Sequence, residues 1–405
     1  MKIAILGGGI SGLAAAYYLQ GHDVTIFEKS SRVGGWLSTD TSTGFLFERG
    51  PRTFKTSKCP GLLDLIEDLG LMEEVIFCER KNLRRYLFIN GKLRRMPAWT
   101  PALLKELLFE WKVPPSYEDE TIYDFACRRF GRTAAWHMFD PMTLGIHAGD
   151  MHTLSMKACF PSLKQLEEEY GSLTKGMLKK PKFLGPPFIA LKNGMQSLVD
   201  ALEERLPSTM LNTEVKELRF EPDRVILDTS RGPFEADFVI SALPCHVLGR
   251  LLFPELLQIE MKGCTLVHLA YTRELAPKRG FGYIVSSLEN HPLLGVIFDS
   301  MAFPQHNRHP EETRLTAFVR GSVQDVLSGL RDHLGITDEP AATLVTQVDN
   351  AFPQMTIGHE ARIQKIVNQY PRLKITGNFL YGVGVSDCIT AAKSAVENLL
   401  SVVPN

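Results

Sequence analysis

The sequence lacks the features that mark several classes of protein. Its 405 residues contain seven cysteines, an odd number without a CxxC pair, which favours a reducing compartment over a disulfide framework. The formal net charge is −1, without the basic excess of nucleic-acid-binding proteins. No apolar run reaches the roughly 18–20 residues of a membrane-spanning helix. HExxH, P-loop and GxSxG motifs are missing, so we expect no metal and no nucleic-acid partner.

The N-terminus resembles a signal peptide without having its organisation. Lys2 precedes the apolar stretch IAILGGGISGLAAAYYL, but that stretch contains three consecutive glycines and leads into HDVTIFEKS, which has the pattern of a strand. A structural unit accounts for both halves, whereas a cleaved leader accounts for only one. We therefore expect a cytoplasmic protein, with any peripheral membrane contact on the inner face of the membrane.

A strand, a glycine motif and a helix open the chain. KIAILGGG has the pattern of a buried strand, residues 10–20 that of a helix and DVTIFEK that of a second strand, which together predict a parallel, doubly wound sheet. The motif is Gly7-x-Gly9-x-x-Gly12, and the second strand ends at Glu28. The glycines allow a tight turn, close approach to a pyrophosphate and close helix packing, while Glu28 can accept bonds from ribose hydroxyls. The segment predicts a dinucleotide site for either NAD or FAD.

Two further segments favour FAD over NAD. RVGGW follows Glu28 at residues 32–36 and adds a second glycine pair beside the first. The C-terminal strand, Gly-rich turn and helix provide another helix N-terminus at residues 382–387, where an anion or an electron-rich ring edge can lie. A tail that folds back onto the cofactor is typical of a buried flavin. No second GxGxxG is present for NADPH, so we expect electrons to pass to oxygen, a quinone or another diffusible acceptor.

The chain is long enough for two or three domains. RRYLFINGKLRRM (84–96) predicts a hairpin with Asn90-Gly91 at its turn, residues 100–180 have a helical pattern, and strand patterns dominate residues 260–355. The cofactor domain is therefore expected to come from separated pieces. We predict residues 1–78, 191–250 and 365–405 for the cofactor domain, 79–96 and 251–364 for a substrate domain, and 97–190 for a helical region.

Segments spread over the chain resemble those of one enzyme family. The opening contains GGGISGLAAAYYL, EKSSRVGGW and GPRTF, and the end contains GNFLYGVGVSDCI. Between them lie AGDMHTLSMKA within residues 141–163, GVIFDS within residues 293–304, and AFPQMTIGHEARI at residues 351–363. In this order they resemble the protoporphyrinogen oxidase branch of the amine-oxidase-like flavoproteins. AGDMHTLSMKA and GVIFDS are the more specific of these segments.

The resemblance implies an α/β fold with a discontinuous Rossmann-like FAD-binding domain, a mixed-sheet substrate domain and a helical region that lies on the membrane surface. It implies FAD-dependent oxidation of protoporphyrinogen IX to protoporphyrin IX in heme biosynthesis. The cofactor contacts carried over by position are Gly7, Gly8, Gly9, Ile10, Ser11, Gly12, Glu28, Lys29, Gly34, Gly35, Trp36, Gly50, Pro51, Arg52, Thr53, Val215, Asn378, Val383, Gly384 and Val385. The chain departs from the family in a short 100–190 region and at Asn378-Phe379, where small residues are common.

The stretch FLFERGPRTF (45–54) places two arginines beside a Gly-Pro turn. Charges at such turns are usually solvated. The resemblance places the turn beside the flavin, and arginine binds carboxylates such as the substrate's propionates in a bidentate manner. We therefore predict that Arg52 holds a propionate and contacts the cofactor, that Arg49 is structural, and that Phe298 lines the macrocycle pocket. No catalytic residue is assigned, because the cofactor carries the hydride step.

The segment PALLKELLFEW (101–111) predicts an amphipathic helix. The apolar stripe contains Leu104, Leu107, Leu108 and Trp111, and the opposite face contains Lys105, Glu106 and Glu110. Such stripes commonly face a core. The basic hairpin nearby and the family resemblance make peripheral membrane contact the alternative.

Other functions stay open at this point. Coproporphyrinogen III is a second candidate substrate, and the same scaffold can serve other amine or polyene oxidases. A different class is a non-enzymatic, prenyl-binding scaffold that resembles GDP-dissociation inhibitors, because fold does not fix function.

Overall fold

The computed structural model describes residues 1–55, 60–97, 100–179, 188–206, 208–275 and 278–401. The strands are β1 (Lys2–Leu6), β2 (Asp23–Phe27), β3 (Thr39–Asp40), β4 (Phe47–Glu48), β5 (Phe54–Lys55), β6 (Val75–Phe77), β7 (Arg85–Ile89), β8 (Lys92–Arg95), β9 (Phe188–Leu191), β10 (Thr209–Met210), β11 (Val215–Phe220), β12 (Val225–Thr229), β13 (Gly232–Ala236), β14 (Phe238–Ser241), β15 (Met261–Tyr271), β16 (Gly282–Val285), β17 (Leu293–Ile297), β18 (Thr313–Val319), β19 (Ala342–Pro353) and β20 (Leu373–Ile375).

The helices alternate with these strands along much of the chain. They are α1 (Ile10–Tyr18), α2 (Pro60–Asp68), α3 (Pro101–Phe109), α4 (Ile122–Phe130), α5 (Arg132–Ala134), α6 (Asp140–His147), α7 (Met156–Cys159), α8 (Pro161–Tyr170), α9 (Leu173–Lys179), α10 (Gln196–Glu203), α11 (Cys245–Leu251), α12 (Asp299–Ala302), α13 (Val323–Leu334), α14 (His359–Ile366) and α15 (Val385–Leu400). A π-helical turn at Ala135–Phe139 joins α5 to α6.

The predicted parallel sheet is present and is built from distant parts of the chain. Its order is β10-β2-β1-β14-β20, and each neighbouring pair is parallel. Apolar strand residues pack against α1, α2, α10 and α15 to form one core. Because β1 and β2 are central, their carboxyl ends meet at one edge, where ligands of such sheets commonly bind. The Rossmann-like fold and the discontinuity expected from sequence are therefore confirmed.

A second, larger sheet contains seven strands. Its order is β19-β15-β18-β17-β16-β7-β8, and all neighbours are antiparallel except β16 and β7. The predicted hairpin forms β7 and β8, with Asn90 at φ 53° and Gly91 at φ 64° in its turn. Both residues are left-handed, as a tight two-residue hairpin turn requires. The exact boundaries of the predicted segments stay a prediction, but residues 79–96 do contribute strands to this mixed sheet.

Helices α3 to α9 form the predicted helical region. A buried ionic network holds it together: Arg129 Nε lies 2.7 Å from Glu167 Oε1, Arg129 Nη1 lies 3.2 Å from Glu110 Oε1, and Lys164 Nζ lies 2.9 Å from Glu167 Oε2. Glu110 is fully buried and also accepts hydrogen bonds from Ser172 Oγ and the Leu173 N–H. Within the part of the chain that the structure describes, none of the helices combines the length and apolar character that crossing a bilayer requires.

The network corrects one sequence prediction. Glu106 and Glu110 were expected on the outer, polar face of α3 and the turn after it. Glu110 is instead buried, and Glu106 accepts a hydrogen bond from the Ala134 N–H at 3.1 Å. Leu104 and Trp111 are about half exposed, at 50% and 52%. Helical periodicity identified two faces but not which one faces the interior. Buried partners from α5 bind Glu106, and buried partners from α4 and α9 bind Glu110.

Candidate active site

The loop between β1 and α1 has the geometry that the glycine motif predicts. Gly7 has φ +97°, a left-handed conformation that glycine adopts without strain. A Cβ on Gly12 would lie 1.9 Å from the Gly7 carbonyl oxygen, so the helix can pack this closely only with glycine. The first turn of α1 contains no acidic residue, and no side chain of the described residues caps it, which leaves backbone N–H groups available to an anion.

Glu28 and the second glycine pair lie beside this loop. Glu28 Oε2 accepts a hydrogen bond from the Gly8 N–H at 2.7 Å, which fixes the carboxylate next to the loop. The Gly34 N–H donates to the Gly8 carbonyl, also at 2.7 Å, and Gly34 forms a parallel bridge with Gly9. The two glycine segments are therefore in contact, as the sequence suggested. Lys29, Gly35 and Trp36 are exposed along the same edge.

Gly9 provides a test of whether a dinucleotide fits. Its backbone has φ −72° and ψ 177°, which any residue can adopt. Among the described residues, no atom would lie closer to a Cβ there than the Gly35 Cα at 4.0 Å. Packing within this part of the chain therefore does not require glycine at this position. A group that approaches the backbone, such as a pyrophosphate above the N-terminus of α1, does require it, so the residues present fit a dinucleotide.

The C-terminal helix begins beside α1. Helix α15 packs on α1 in the shared core, and the Cys388 thiol in its first turn is hydrogen-bonded to the Ser11 side chain. Asp387 Oδ2 accepts from the Gly384 N–H at 3.1 Å. Asn378, just before this turn, donates to the Ala351 carbonyl at 2.9 Å. The predicted second helix N-terminus is that of α15, which follows Val383 and begins at Val385. It lies close to the N-terminus of α1, so one extended ligand can contact both.

The stretch that follows β4 joins these elements to the second sheet. Glu48 is buried, and its carboxylate accepts hydrogen bonds from the Met195 N–H at 2.8 Å and from Thr39 Oγ1 at 2.9 Å. Burial raises the pKa of Glu48 to about 7. A Cβ on Gly50 would lie 2.0 Å from the Trp36 carbonyl oxygen, so glycine is needed for this close contact. Pro51 and Thr53 complete the segment, exposed and half-buried.

The two arginines have different surroundings. Arg49 Nε donates to Asp40 Oδ2 at 3.0 Å, and its side chain is 41% exposed. The side chain of Arg52 is only 6% exposed; its Nη1 lies 3.0 Å from Asp299 Oδ1 and its Nη2 donates to the Glu48 carbonyl. The structural role predicted for Arg49 agrees with this pairing. The propionate-holding role of Arg52 stays a prediction, and a propionate would have to compete with Asp299.

Two other predicted site residues lie away from the loop. Val215 begins β11, paired with Thr229 in a small antiparallel sheet, and Thr213 just before it donates its N–H to the Glu28 carbonyl at 2.8 Å. Phe298 is 3% exposed and packs with Tyr283 in the core of the seven-stranded sheet. The position of Val215 is consistent with a cofactor contact. Phe298 also lines a cavity of about 110 Å³ together with Met301 and Leu315, and its substrate contact stays a prediction.

Several residues of this region were not predicted individually. Asp299 lies in GVIFDS, which was quoted for its resemblance without a role for its carboxylate. His268, Thr316 and Arg314 come from strands whose patterns predict only burial. Arg314 donates to the Leu46 carbonyl, Thr316 donates to Asp299, and the His268 ring lies against Phe47. Tertiary packing alone makes these contacts, so no local signal in the sequence identifies the three residues.

We predict that Gly9→Ala and Gly12→Ala fail in different ways. Gly9→Ala should fold as the wild type does but lose FAD affinity by more than ~10-fold, because its methyl group enters the space for the pyrophosphate. Gly12→Ala should lower the unfolding temperature of the FAD-free protein as well, because its methyl group clashes with the Gly7 carbonyl. FAD titration and thermal melts of both apoproteins measure this difference. Unaltered FAD binding by Gly9→Ala would contradict the assignment of the loop between β1 and α1, the dinucleotide cradle, as the FAD site.

Comparison with known proteins assigns this site to a family. The family described as flavin-containing amine oxidoreductase matches residues 10–400. The proteins named protoporphyrinogen oxidase from Bos taurus and Homo sapiens are each 31% identical, over 100% of this chain and 99% of their own length. A Bacillus subtilis protein named coproporphyrinogen III oxidase is 28% identical, over 98% of both chains.

Solved structures agree with this assignment at the level of fold. An Exiguobacterium protein is 28% identical, covers 98% of both chains and superposes with a TM-score of 0.85. A putrescine oxidase structure, 17% identical over 99% of both chains, has a TM-score of 0.74 and shares the fold. A flavin family combined with a dinucleotide cradle specifies FAD as the cofactor. The chain therefore belongs to the flavin-containing amine oxidoreductases, within the branch that contains the protoporphyrinogen oxidases, and is an FAD-dependent oxidase.

Proposed function

We propose that this chain oxidises protoporphyrinogen IX to protoporphyrin IX. The observation that carries the proposal is similarity over the full length to three mammalian proteins named protoporphyrinogen oxidase, each 31% identical. The site supports it, because the Gly50–Thr53 segment contacts the second glycine segment at Trp36 and is bonded through Arg52 to Asp299 beside the seven-stranded sheet. A non-enzymatic prenyl-binding scaffold has no support, since the family is one of oxidoreductases.

The chain's own residues have to bind and orient the substrate, since FAD, when bound, supplies the two-electron acceptor. A meso carbon can lose hydride because the flanking pyrroles stabilise the positive charge that remains. The proton can then leave from a pyrrole N–H, so no strong protein base is required. Burial lowers the pKa of His268 to about 3 and that of His306 to about 4, which makes both poor proton acceptors. Catalysis by this chain is therefore chiefly positioning.

Arg85 at the start of β7 is suited to bind a substrate carboxylate. The residue is exposed as a whole, although partial desolvation of its guanidinium lowers its pKa, and no carboxylate partner for it is found among the described residues. Its guanidinium lies 5.7 Å from the ring centroid of Phe188, which is stacked on Phe281 at 4.7 Å. An uncommitted guanidinium beside a pair of aromatic rings offers both a carboxylate contact and an apolar surface to a macrocycle.

Coproporphyrinogen III is the second candidate. It carries four carboxylates where protoporphyrinogen IX carries two, and relatives named coproporphyrinogen III oxidase are 28% and 29% identical. The hairpin of β7 and β8 has additional exposed cations at Arg84, Lys92, Arg94 and Arg95 that could meet the extra carboxylates. Charge on this hairpin is the feature that favours the second substrate.

Purified protein loaded with FAD should convert protoporphyrinogen IX to fluorescent porphyrin, with oxygen or a quinone as acceptor. We expect kcat/KM to be higher than with coproporphyrinogen III in a parallel assay. The Gly9→Ala protein serves as the control for non-enzymatic oxidation of the substrate. Failure to accelerate the oxidation of either porphyrinogen beyond this control would contradict the proposed function.

Replacing Arg85 should weaken substrate binding. We expect Arg85→Ala to raise KM by about 10-fold or more, because a charge-assisted hydrogen bond is lost, and to leave kcat within about twofold. Arg85→Lys should restore part of the affinity. Arg219→Ala removes an exposed arginine from β11 and serves as the matched control. An unaltered KM for Arg85→Ala would remove this residue from the substrate site without affecting the proposed reaction.

We also propose that the helical region contacts a membrane surface. Exposed apolar side chains lie at Leu104, Phe109 and Trp111 around the end of α3 and at Met177 and Leu178 of α9. The Lys112 ammonium lies 5.1 Å from the Phe109 ring and 5.3 Å from the Trp111 ring. Apolar groups bordered by lysines are typical of interfacial helices on anionic lipid. The inward position of Glu106 and Glu110 supports this orientation, and the inner face of the cytoplasmic membrane is the proposed location.

Liposome co-sedimentation tests this contact. The wild type should bind vesicles that contain anionic phosphatidylglycerol, and more weakly vesicles of phosphatidylcholine alone. The double variant Trp111→Ser/Leu178→Ser should lose most of the binding. Leu288→Ser, which alters a leucine elsewhere that is exposed to the same extent as Trp111, should retain it. Equal sedimentation of the wild type with and without vesicles would contradict the proposal.

A further inference from the structure

We propose that Arg52 and Asp299 are positioning residues, whose buried ion pair holds the segment Gly50–Thr53 in a fixed relation to the seven-stranded sheet. The inference rests on the FAD-dependent function proposed above, because this segment is the predicted flavin contact. It assigns Arg52 a role different from that of a propionate holder, and it gives Asp299 a role that the sequence did not suggest.

The ion pair joins the two halves of the molecule. Arg52 Nη1 lies 3.0 Å from Asp299 Oδ1, with side chains 6% and 14% exposed. Asp299 is the first residue of α12, which follows β17 of the seven-stranded sheet. Arg52 Nη2 donates to the Glu48 carbonyl at 3.1 Å, so the same guanidinium also closes the turn in which it lies. One side chain therefore fixes both the shape of the turn and its attachment.

Hydrogen bonds extend this attachment across the sheet. Asp299 Oδ2 accepts from Thr316 Oγ1 of β18 at 2.7 Å, and Thr316 Oγ1 lies 3.0 Å from His268 Nδ1 of β15. His268 is fully buried and its ring lies against that of Phe47, with centroids 5.4 Å apart. The carboxylate of Asp299 thus has a bonded partner on each oxygen. Such fully bonded buried groups are held rigidly.

Independent contacts hold Gly50 and the residues that precede the segment. Arg314 of β18 donates to the Leu46 carbonyl at 2.9 Å, on the side of the seven-stranded sheet. Glu48 binds the N-terminus of α10 through the Met195 N–H, and Gly50 lies against the Trp36 carbonyl, both on the cofactor side. The segment and its neighbours are therefore attached both to the seven-stranded sheet and to the cofactor domain. The Arg52–Asp299 pair lies between these two parts.

The space beside Arg52 argues against a substrate carboxylate there. Arg52, Asp299, Arg314 and His306 line a cavity of about 10 Å³. That volume holds roughly one water molecule and is smaller than a propionate group. A substrate carboxylate would have to displace Asp299 from the guanidinium, and this would leave a buried carboxylate unpaired.

Spectra and kinetics of purified holoenzyme variants test the inference. Asp299→Asn keeps the shape of the side chain and removes its charge, and Arg52→Met removes the guanidinium. Both should shift the flavin absorbance bands without substrate present and should lower kcat about 10-fold or more while KM stays within about twofold. The double variant should be no worse than either single one, because both break the same pair. Arg52→Lys keeps the charge and should resemble the wild type more closely.

Arg49→Met is the matched control, because Arg49 lies three residues away and pairs with Asp40 outside this cluster. It should leave the spectrum and kcat unaltered. If Arg52→Met does not fold, the flavin spectrum and kcat of the Asp299→Asn variant test the inference. A raised KM with an unaltered flavin spectrum for Arg52→Met, together with wild-type behaviour of Asp299→Asn, would overturn the inference in favour of a propionate holder. Because the spectrum is read without porphyrinogen, it tests the pair even if neither porphyrinogen proves to be a substrate.

Discussion

The turn from Phe47 to Arg52 is the constraint on which the arrangement of the active site depends. Two of its three ionisable side chains, Glu48 and Arg52, bind distant parts of the molecule, whereas Arg49 makes only a local pair. Glu48 binds the start of α10, which lies 147 residues further along the chain, and Arg52 binds Asp299, which lies 247 residues further. Arg49 binds Asp40 in the neighbouring strand. A turn of six residues thus fixes the position of the cofactor domain relative to the seven-stranded sheet.

Burying these charges is unfavourable by itself. Taking a carboxylate or guanidinium out of water costs several kcal/mol, and a buried ion pair often contributes little net stability. The raised pKa of Glu48, about 7, is a direct sign of this cost, since burial outweighs its hydrogen bonds and the nearby Arg52 charge. Removing one partner is nevertheless strongly destabilising, because the other charge is left unpaired. The pairs therefore specify one geometry more than they add stability, which suits a position between cofactor and substrate.

The sequence predicts those parts of the structure whose signals are local. Gly7, Gly9 and Gly12 with Glu28 fall within a single βαβ unit, and Asn90-Gly91 marks a hairpin by its own backbone preference. The burial of Glu110 could not be predicted, because helical periodicity does not show that Arg129 and Ser172 lie within reach. The partner of Arg52 could not be predicted for the same reason, since tertiary packing alone brings Asp299 to it. Resemblance to a family located the turn but did not identify these contacts.

The central claim is that this chain passes electrons from a porphyrinogen to its bound flavin. Mixing the yellow holoenzyme with protoporphyrinogen IX in the absence of oxygen tests it most directly. With the holoenzyme in at least threefold excess, we predict that the flavin absorbance bleaches as porphyrin absorbance appears. Three flavins should be reduced for each porphyrin formed, because the conversion removes six electrons and each flavin accepts two. A flavin that stays oxidised in the presence of excess protoporphyrinogen IX and coproporphyrinogen III would contradict it.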